Sequence, residues 1–188
     1  DFAGTICLLD DITTHAITID EIKVGTTIKL GKTLDLTAAD LILTQASATS
    51  TAPSDSLTIT SDLIQDASNA YSTIADLRVD TTKSVSLDLA SADTDVLTVK
   101  VTDLSADKAS TVTVTSSEKV TFADIDAADD ATLDFSGVTA ELSVTPDTGN
   151  DYTIKGSASA KSTIIMGIGL DADDVITGGS DASDKLTF

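Results

Sequence analysis

Among the 188 residues, the side chains able to do chemistry are almost all carboxylates. The 31 acidic residues, 28 Asp and 3 Glu, face 11 basic ones, for a formal net charge of −20. Serine is abundant, but His15 is the one histidine that could serve it as a base. No G-x-S-x-G is present, so nucleophilic hydrolysis lacks its framework. A lone histidine also removes paired-histidine metal sites of the H-E-x-x-H type. Cys7, the single cysteine, allows neither an internal disulfide nor a Cys-rich zinc site. It lies in the apolar run Ile6 to Leu9 and is expected to be buried or at an edge. Gly31-Lys32-Thr33 looks like the end of a phosphate-binding loop, but Thr26 stands where the first glycine is needed and Gly25 is one place early. Strands flank it where a helix should follow. Paired carboxylates could cleave glycosides, yet a sugar site recruits aromatic platforms and basic residues. Arg78 is the sole arginine and tryptophan is absent, so the chain is not expected to be an enzyme. What remains is the hard-oxygen chemistry of aspartate.

Glycine and aspartate are most regularly spaced from Tyr152 to Phe188, YTIKGSASAKSTIIMGIGLDADDVITGGSDASDKLTF. Three units align: TIKGSASAKSTII, GIGLDADDVITGG and GGSDASDKLTF. They resemble the nonapeptide G-G-x-G-x-D-x-U-x of repeats-in-toxin (RTX) proteins, in which U is a large apolar residue. The resemblance implies a parallel β-roll with glycines in tight turns and U in the core. It also implies calcium between rungs, bound by aspartates and turn carbonyls; this hard cation takes six to eight oxygens. Carried over position by position, the implied calcium residues are Gly167, Gly169, Asp171, Asp173 and Asp174, ahead of Val175 and Ile176. In the next unit they are Gly178, Gly179, Asp181 and Asp184, ahead of Leu186. The repeats depart from the motif. The second unit reads G-x-G-x-D-x-D-D, and in the third Asp181 replaces a glycine and Asp184 comes one residue late. The first unit has Lys161 where an aspartate belongs and carries no implied ligand. Elsewhere, Asp93 and Asp95 flank Thr94, and Asp124, Asp126, Asp129 and Asp130 crowd the interval between Phe122 and Leu133. Neither fits the EF-hand loop, which needs glycine at its sixth position, so both are read as solvated turns.

The elements that must hold these residues are short and apolar at alternate positions. From residue 77 onward such runs begin at Leu77, Val85, Leu97, Val112, Val120, Leu133, Leu142, Tyr152, Ile164, Val175 and Leu186. Each alternates with period two, which marks half-buried strands. Strands at steps near 8 to 12 residues suit an antiparallel β-sandwich or a parallel β-solenoid. Neither Asn-Gly nor Asp-Gly occurs, and the aromatics are only 4 Phe and 2 Tyr, which disfavours hairpins and a ring-filled sandwich core. Stacked rungs can fill a narrow interior with Val, Ile and Leu alone. The fold is therefore expected to be all-β, a parallel β-solenoid or β-roll, with the β-sandwich as its alternative. Residues 1–76 read as a less regular β-rich segment, with strands at Ile17–Ile19, Ile22–Val24, Ile28–Leu30, Leu34–Leu36, Leu41–Leu43 and Leu57–Ile59. An exposed loop is expected at 46–56. Leu63, Ala67, Ala70, Ile74 and Leu77 fall at helical spacing behind Ser61 and Asp62, predicting one short helix over about 62 to 77. Residues 77–188 form the regular solenoid.

A mean hydropathy of +0.16 argues against disorder despite the charge. The acidic surface repels phosphate, which excludes nucleic acid and disfavours anionic membranes. No apolar run reaches the roughly 18 residues of a membrane span. The chain starts at Asp1 without a signal peptide and stops at Phe188 within an apolar run, so both ends look like cuts in a longer polypeptide. The stretch Leu133-Asp-Phe-Ser-Gly-Val-Thr-Ala-Glu-Leu-Ser-Val144, followed by the Gly-rich units, resembles bacterial surface-layer (S-layer) proteins of the RTX-like, type I-secreted kind. That likeness implies an extracellular structural subunit on the bacterial cell surface. It would fold and assemble with calcium, pair with itself in a lattice, and meet lipopolysaccharide or surface glycan. An adhesin or carbohydrate-binding stalk of an RTX protein is the alternative.

Overall fold

β-branched runs separated by small polar turns bury apolar area most readily by stacking strands. The computed structural model describes residues 4–8, 16–31, 36–45, 56–62, 71–80, 82–90 and 98–188. In chain order its strands are β1 (Thr5–Leu8), β2 (Ile17–Ile22), β3 (Thr27–Leu30), β4 (Leu36–Gln45), β5 (Ser56–Asp62), β6 (Tyr71–Asp80), β7 (Ser84–Ala90) and β8 (Thr98–Ala106). They continue with β9 (Thr111–Ser116), β10 (Lys119–Ala127), β11 (Ala131–Val138), β12 (Leu142–Pro146), β13 (Tyr152–Lys155), β14 (Ser162–Ile165), β15 (Val175–Thr177) and β16 (Lys185–Thr187). One 3-10 turn, Gly167–Gly169, lies between β14 and β15. Odd-numbered strands form one eight-stranded sheet and even-numbered strands the other. Their pairings are parallel, β9 with β11 and β10 with β12 for example. The fold is a parallel β-solenoid of the β-roll kind, not the antiparallel sandwich.

Consecutive apolar runs do not lie on one another. They alternate between the sheets, so a coil is two runs long and each strand pairs with the next but one. Register partners are Thr111 and Thr132, Val120 and Leu142, and, across a longer connection, Leu41 and Leu77. The pairing of β5 with β7 and of β4 with β6 carries both sheets across residue 76.

Stacking converts the period-two pattern into columns. On one sheet Leu57, Val85, Val112, Leu133 and Ile154 succeed each other in register, all buried. On the other, Leu41, Leu77, Leu104 and Ile125 do the same. Full burial of each such side chain contributes about 1.5–3 kcal/mol relative to exposure. Phe122 of β10 and Phe135 of β11 meet between the sheets, ring centroids 5.7 Å apart and tilted by 52°.

Three long strands break the alternation at one place. Ile74 and Leu77 in β6, Val101 and Leu104 in β8, and Phe122 and Ile125 in β10 are buried, and the two residues between each pair lie outside the core. This slip corrects the expected helix. Asp62 ends β5, and Tyr71 to Leu77 lie in β6, with 63–70 outside the described residues. Ile74 and Leu77 stand three apart because the strand slips, and pairing to β4 and β8 overrides the local helical pattern. Asp124 and Asp126 likewise belong to β10 and not to a turn; only Asp129 and Asp130 are in one. Ile22 ends β2, and Val24 lies in the turn that Gly25 closes with φ of 81°. Cys7 is exposed on β1, an edge strand. The loop expected at 46–56 lies outside the described residues except Ser56, which opens β5. Leu34, Lys32, Thr33, Asp93 and Asp95 are also outside them.

Candidate functional site

The nine residues expected to serve calcium fall at two corners of the last coil. Gly167 and Gly169 form the 3-10 turn leading to the first corner. Gly167 has φ of 57°, the left-handed region that glycine tolerates. At Gly169 a Cβ would come within 2.9 Å of Thr148 Cα, so the turn packs tightly on the coil beneath. Asp171 and Asp173 follow, exposed. The Asp173 N–H donates to Asp171 Oδ1 at 2.9 Å, and the Asp171 N–H donates to Asp174 Oδ2 at 3.1 Å. Asp174 Oδ1 reaches down one coil to accept the Tyr152 N–H at 2.9 Å.

At the second corner, the Asp184 carboxylate accepts the Gly179 N–H at 2.7 Å and, one coil earlier, the Ser162 N–H at 2.7 Å. Asp181 Oδ1 accepts the Ser183 N–H at 2.7 Å. Gly178 packs on the Asp184 side chain, and a Cβ at Gly179 would land on the Ser157 carbonyl oxygen. Ser162 Oγ in turn accepts the Ser157 N–H. Asp174 and Asp184 thus do the same work at opposite corners, joining the final coil to the one before through charge-assisted bonds to backbone amides.

The corners differ in the charge around them. Asp151, in the coil below the first corner, has its carboxyl pushed up from the ordinary range, by desolvation first and then by Asp171, Asp129, Asp173 and Asp174. Carboxylates of successive coils therefore share that corner. The second corner stacks instead on a chain of ion pairs. Glu141 receives Lys119 Nζ at 2.8 Å and Lys161 Nζ at 3.0 Å, which joins three successive coils. Those two hydrogen bonds hold the Glu141 carboxyl below its usual range. Lys161, the residue that breaks the repeat motif in sequence, is a rung-to-rung cross-link.

At the first corner the exposed Asp171 and Asp173 carboxylates, with Asp151 in the coil below, carry hard oxygens beyond those the backbone uses, the donor type a cation such as calcium takes. The second corner carries Asp181 and Asp184. Among the described residues, no three His, Cys, Asp or Glu side chains converge on a common point as a metal cage would require.

Another acidic array among the described residues was singled out from the sequence only at Asp124. It lies at the slip in the even-numbered strands. Register places Asp40 opposite Asp76 and Asp76 opposite Asp103, and Asp124 follows between the aligned pairs Phe122–Val101 and Ile125–Leu104. Its signal is a tripeptide: Ala39-Asp40-Leu41, Ala75-Asp76-Leu77, Thr102-Asp103-Leu104 and Ala123-Asp124-Ile125. The copies are unevenly spaced because the connections differ in length, which hides the repeat from a fixed-period search. Asp126 lies two residues beyond Asp124, its carboxylate accepting Asn150 Nδ2 at 3.3 Å.

Comparison with protein-family models, with curated proteins and with solved structures found no match for this chain.

Proposed function

We propose that this chain is a structural segment of a bacterial cell-surface layer, working by assembly and not by catalysis. The observation that carries this reading is the architecture itself: two parallel sheets propagate coil upon coil, with acidic side chains stacked outside the apolar interior. Such a solenoid supplies long regular faces for lateral contact with further copies. Among the described residues no helix is long and apolar enough to cross a membrane. Contact with surface glycan or lipopolysaccharide is part of the same proposal.

Calcium belongs to the same proposal. Asp171 and Asp173, beside Asp151, would hold it, with Asp174 keeping the Tyr152 amide in place. The ion supplies positive charge where the coils crowd carboxylates, and binding to the folded form alone adds to stability. A chain carrying −20 repels itself while calcium is scarce and closes where calcium is plentiful. Thermal melts in calcium and in EGTA, beside sedimentation and electron microscopy, test this reading. A higher Tm and ordered sheets with calcium support it. An unchanged Tm with a monomer throughout opposes it, and a monomer that binds glycan makes the chain an adhesin stalk.

A further inference from the structure

The stacked aspartates of β4, β6, β8 and β10 have a consequence independent of calcium. Neighbouring strands lie about 4.8 Å apart, so register partners carry their carboxylates side by side. Like charges directly opposite destabilise a strand pair. Four successive strands repeat the arrangement at the same position, through Asp40, Asp76, Asp103 and Asp124.

The charges around the column compensate it unevenly. Asp76 has Arg78 on its own strand as an opposing charge and Asp40 as an adding one. Asp76, Asp124 and Asp126 each add negative charge beside Asp103. At the far end, Asp126 has Lys108 against Asp107, Asp147 and Asp124. The slip turns the aspartates of β6, β8 and β10 out of the core at the same place.

We infer that this column is an acid-responsive clasp: ionised, it pushes successive coils apart, and a proton taken from solvent by Asp76 or Asp103 lets one carboxyl donate to its neighbour and draw the coils together. Burial first, and then the neighbouring carboxylates, push Asp76, Asp103 and Asp126 up from the ordinary Asp range. A folded state that holds its protons more tightly than the unfolded chain gains stability below the unfolded value. It loses that gain as pH rises through the folded one. The solenoid therefore gains stability between neutral pH and the ordinary carboxylate range.

Denaturation midpoints in EGTA, between pH 7 and about pH 5, test this in the wild type, D76N/D103N and D20N. Asp20 is exposed on β2, outside the column. Acidification should raise the wild-type Tm over this interval, approaching about 3 °C for each tenfold by which folding tightens the hold on a proton only as pH nears the ordinary Asp value. D76N/D103N should start higher at pH 7 and lose most of the slope, and D20N should keep it. The inference is overturned by a wild-type Tm that falls over this interval, by a double variant with the wild-type slope, or by one less stable than wild type or unfolded at pH 7. A slope reduced equally in D20N also overturns it, since net charge alone would then explain the effect.

Discussion

The Asp174 carboxylate accepts the Tyr152 N–H at 2.9 Å from one coil above, and Asp184 does the same for Ser162 at 2.7 Å. Both donors are the first residues of strands, β13 and β14, whose register partners in the coil above are the residues just before β15 and β16. A side chain takes over where the ladder stops. In the coils below, the same column on the even sheet holds Val120 and Leu142, so here the apolar column gives way to Ser162 and then to carboxylate.

Removing this clamp should cost more than a surface substitution. Hydrogen bonds to charged groups contribute about 1.5–3 kcal/mol. Asp184→Ala leaves the Gly179 and Ser162 amides without that acceptor, and a loss of about 2 kcal/mol is expected in urea unfolding. Asp184→Asn, which keeps one carbonyl oxygen, should lose less. If the two variants are equally stable and match wild type, the clamp contributes nothing.

The fold was legible because its signal is local and repeated. Runs such as Val112–Val114, Val120–Phe122 and Leu142–Val144 alternate cleanly and lie in β9, β10 and β12. What sequence spacing does not reveal is which run stacks on which: Val120 pairs with Leu142 and not with the nearer Leu133, because β11 belongs to the other sheet. The helical pattern at Ile74 and Leu77 misled for a related reason, since a slipped strand and a helix both bury residues three apart. The acidic turns at 171–184 were legible as a stacked feature. Asp40, Asp76 and Asp103 were not, because the proximity of such residues exists only once the coils are in register.

Close approach of turns gives a second expectation. Gly179 lies against the Ser157–Ala158 backbone, with no room for a methyl group. Gly179→Ala must shift the turn that presents the Gly179 N–H to Asp184, and overpacking of this kind costs about 1–3 kcal/mol. Differential scanning calorimetry should show a lower Tm, and hydrogen exchange should show the loss of protection centred on Ser162. A Tm equal to wild type would mean that the turn can move freely.

The aromatic pair in the core gives a third. Phe122 and Phe135 come from different sheets and are fully buried, so truncating either opens a cavity that neither sheet can close alone. Phe122→Ala should cost about 3–5 kcal/mol and Phe122→Leu markedly less. Urea titrations followed by far-ultraviolet circular dichroism measure both; a Phe122→Ala variant as stable as wild type would place the ring contact outside the cooperative unit.

At low pH two other carboxylates set the limit. Burial would raise the Asp134 carboxyl, but hydrogen bonds from the Ser136 hydroxyl and N–H, with Lys155 Nζ at 3.1 Å, hold it below its ordinary value. Glu141 is lowered by Lys119 and Lys161. A lowered folded value gives stability that is present above the unfolded value and lost as pH falls through the folded one. Acid unfolding should thus set in only below the ordinary carboxylate range. Lys155→Ala, which removes one of the bonds that keep Asp134 ionised, should move that limb to higher pH. The pair is half exposed, so the change in neutral stability should stay within about 1 kcal/mol and shrink with added salt. An acid limb unmoved in Lys155→Ala would show that the two Ser136 bonds alone hold Asp134 ionised.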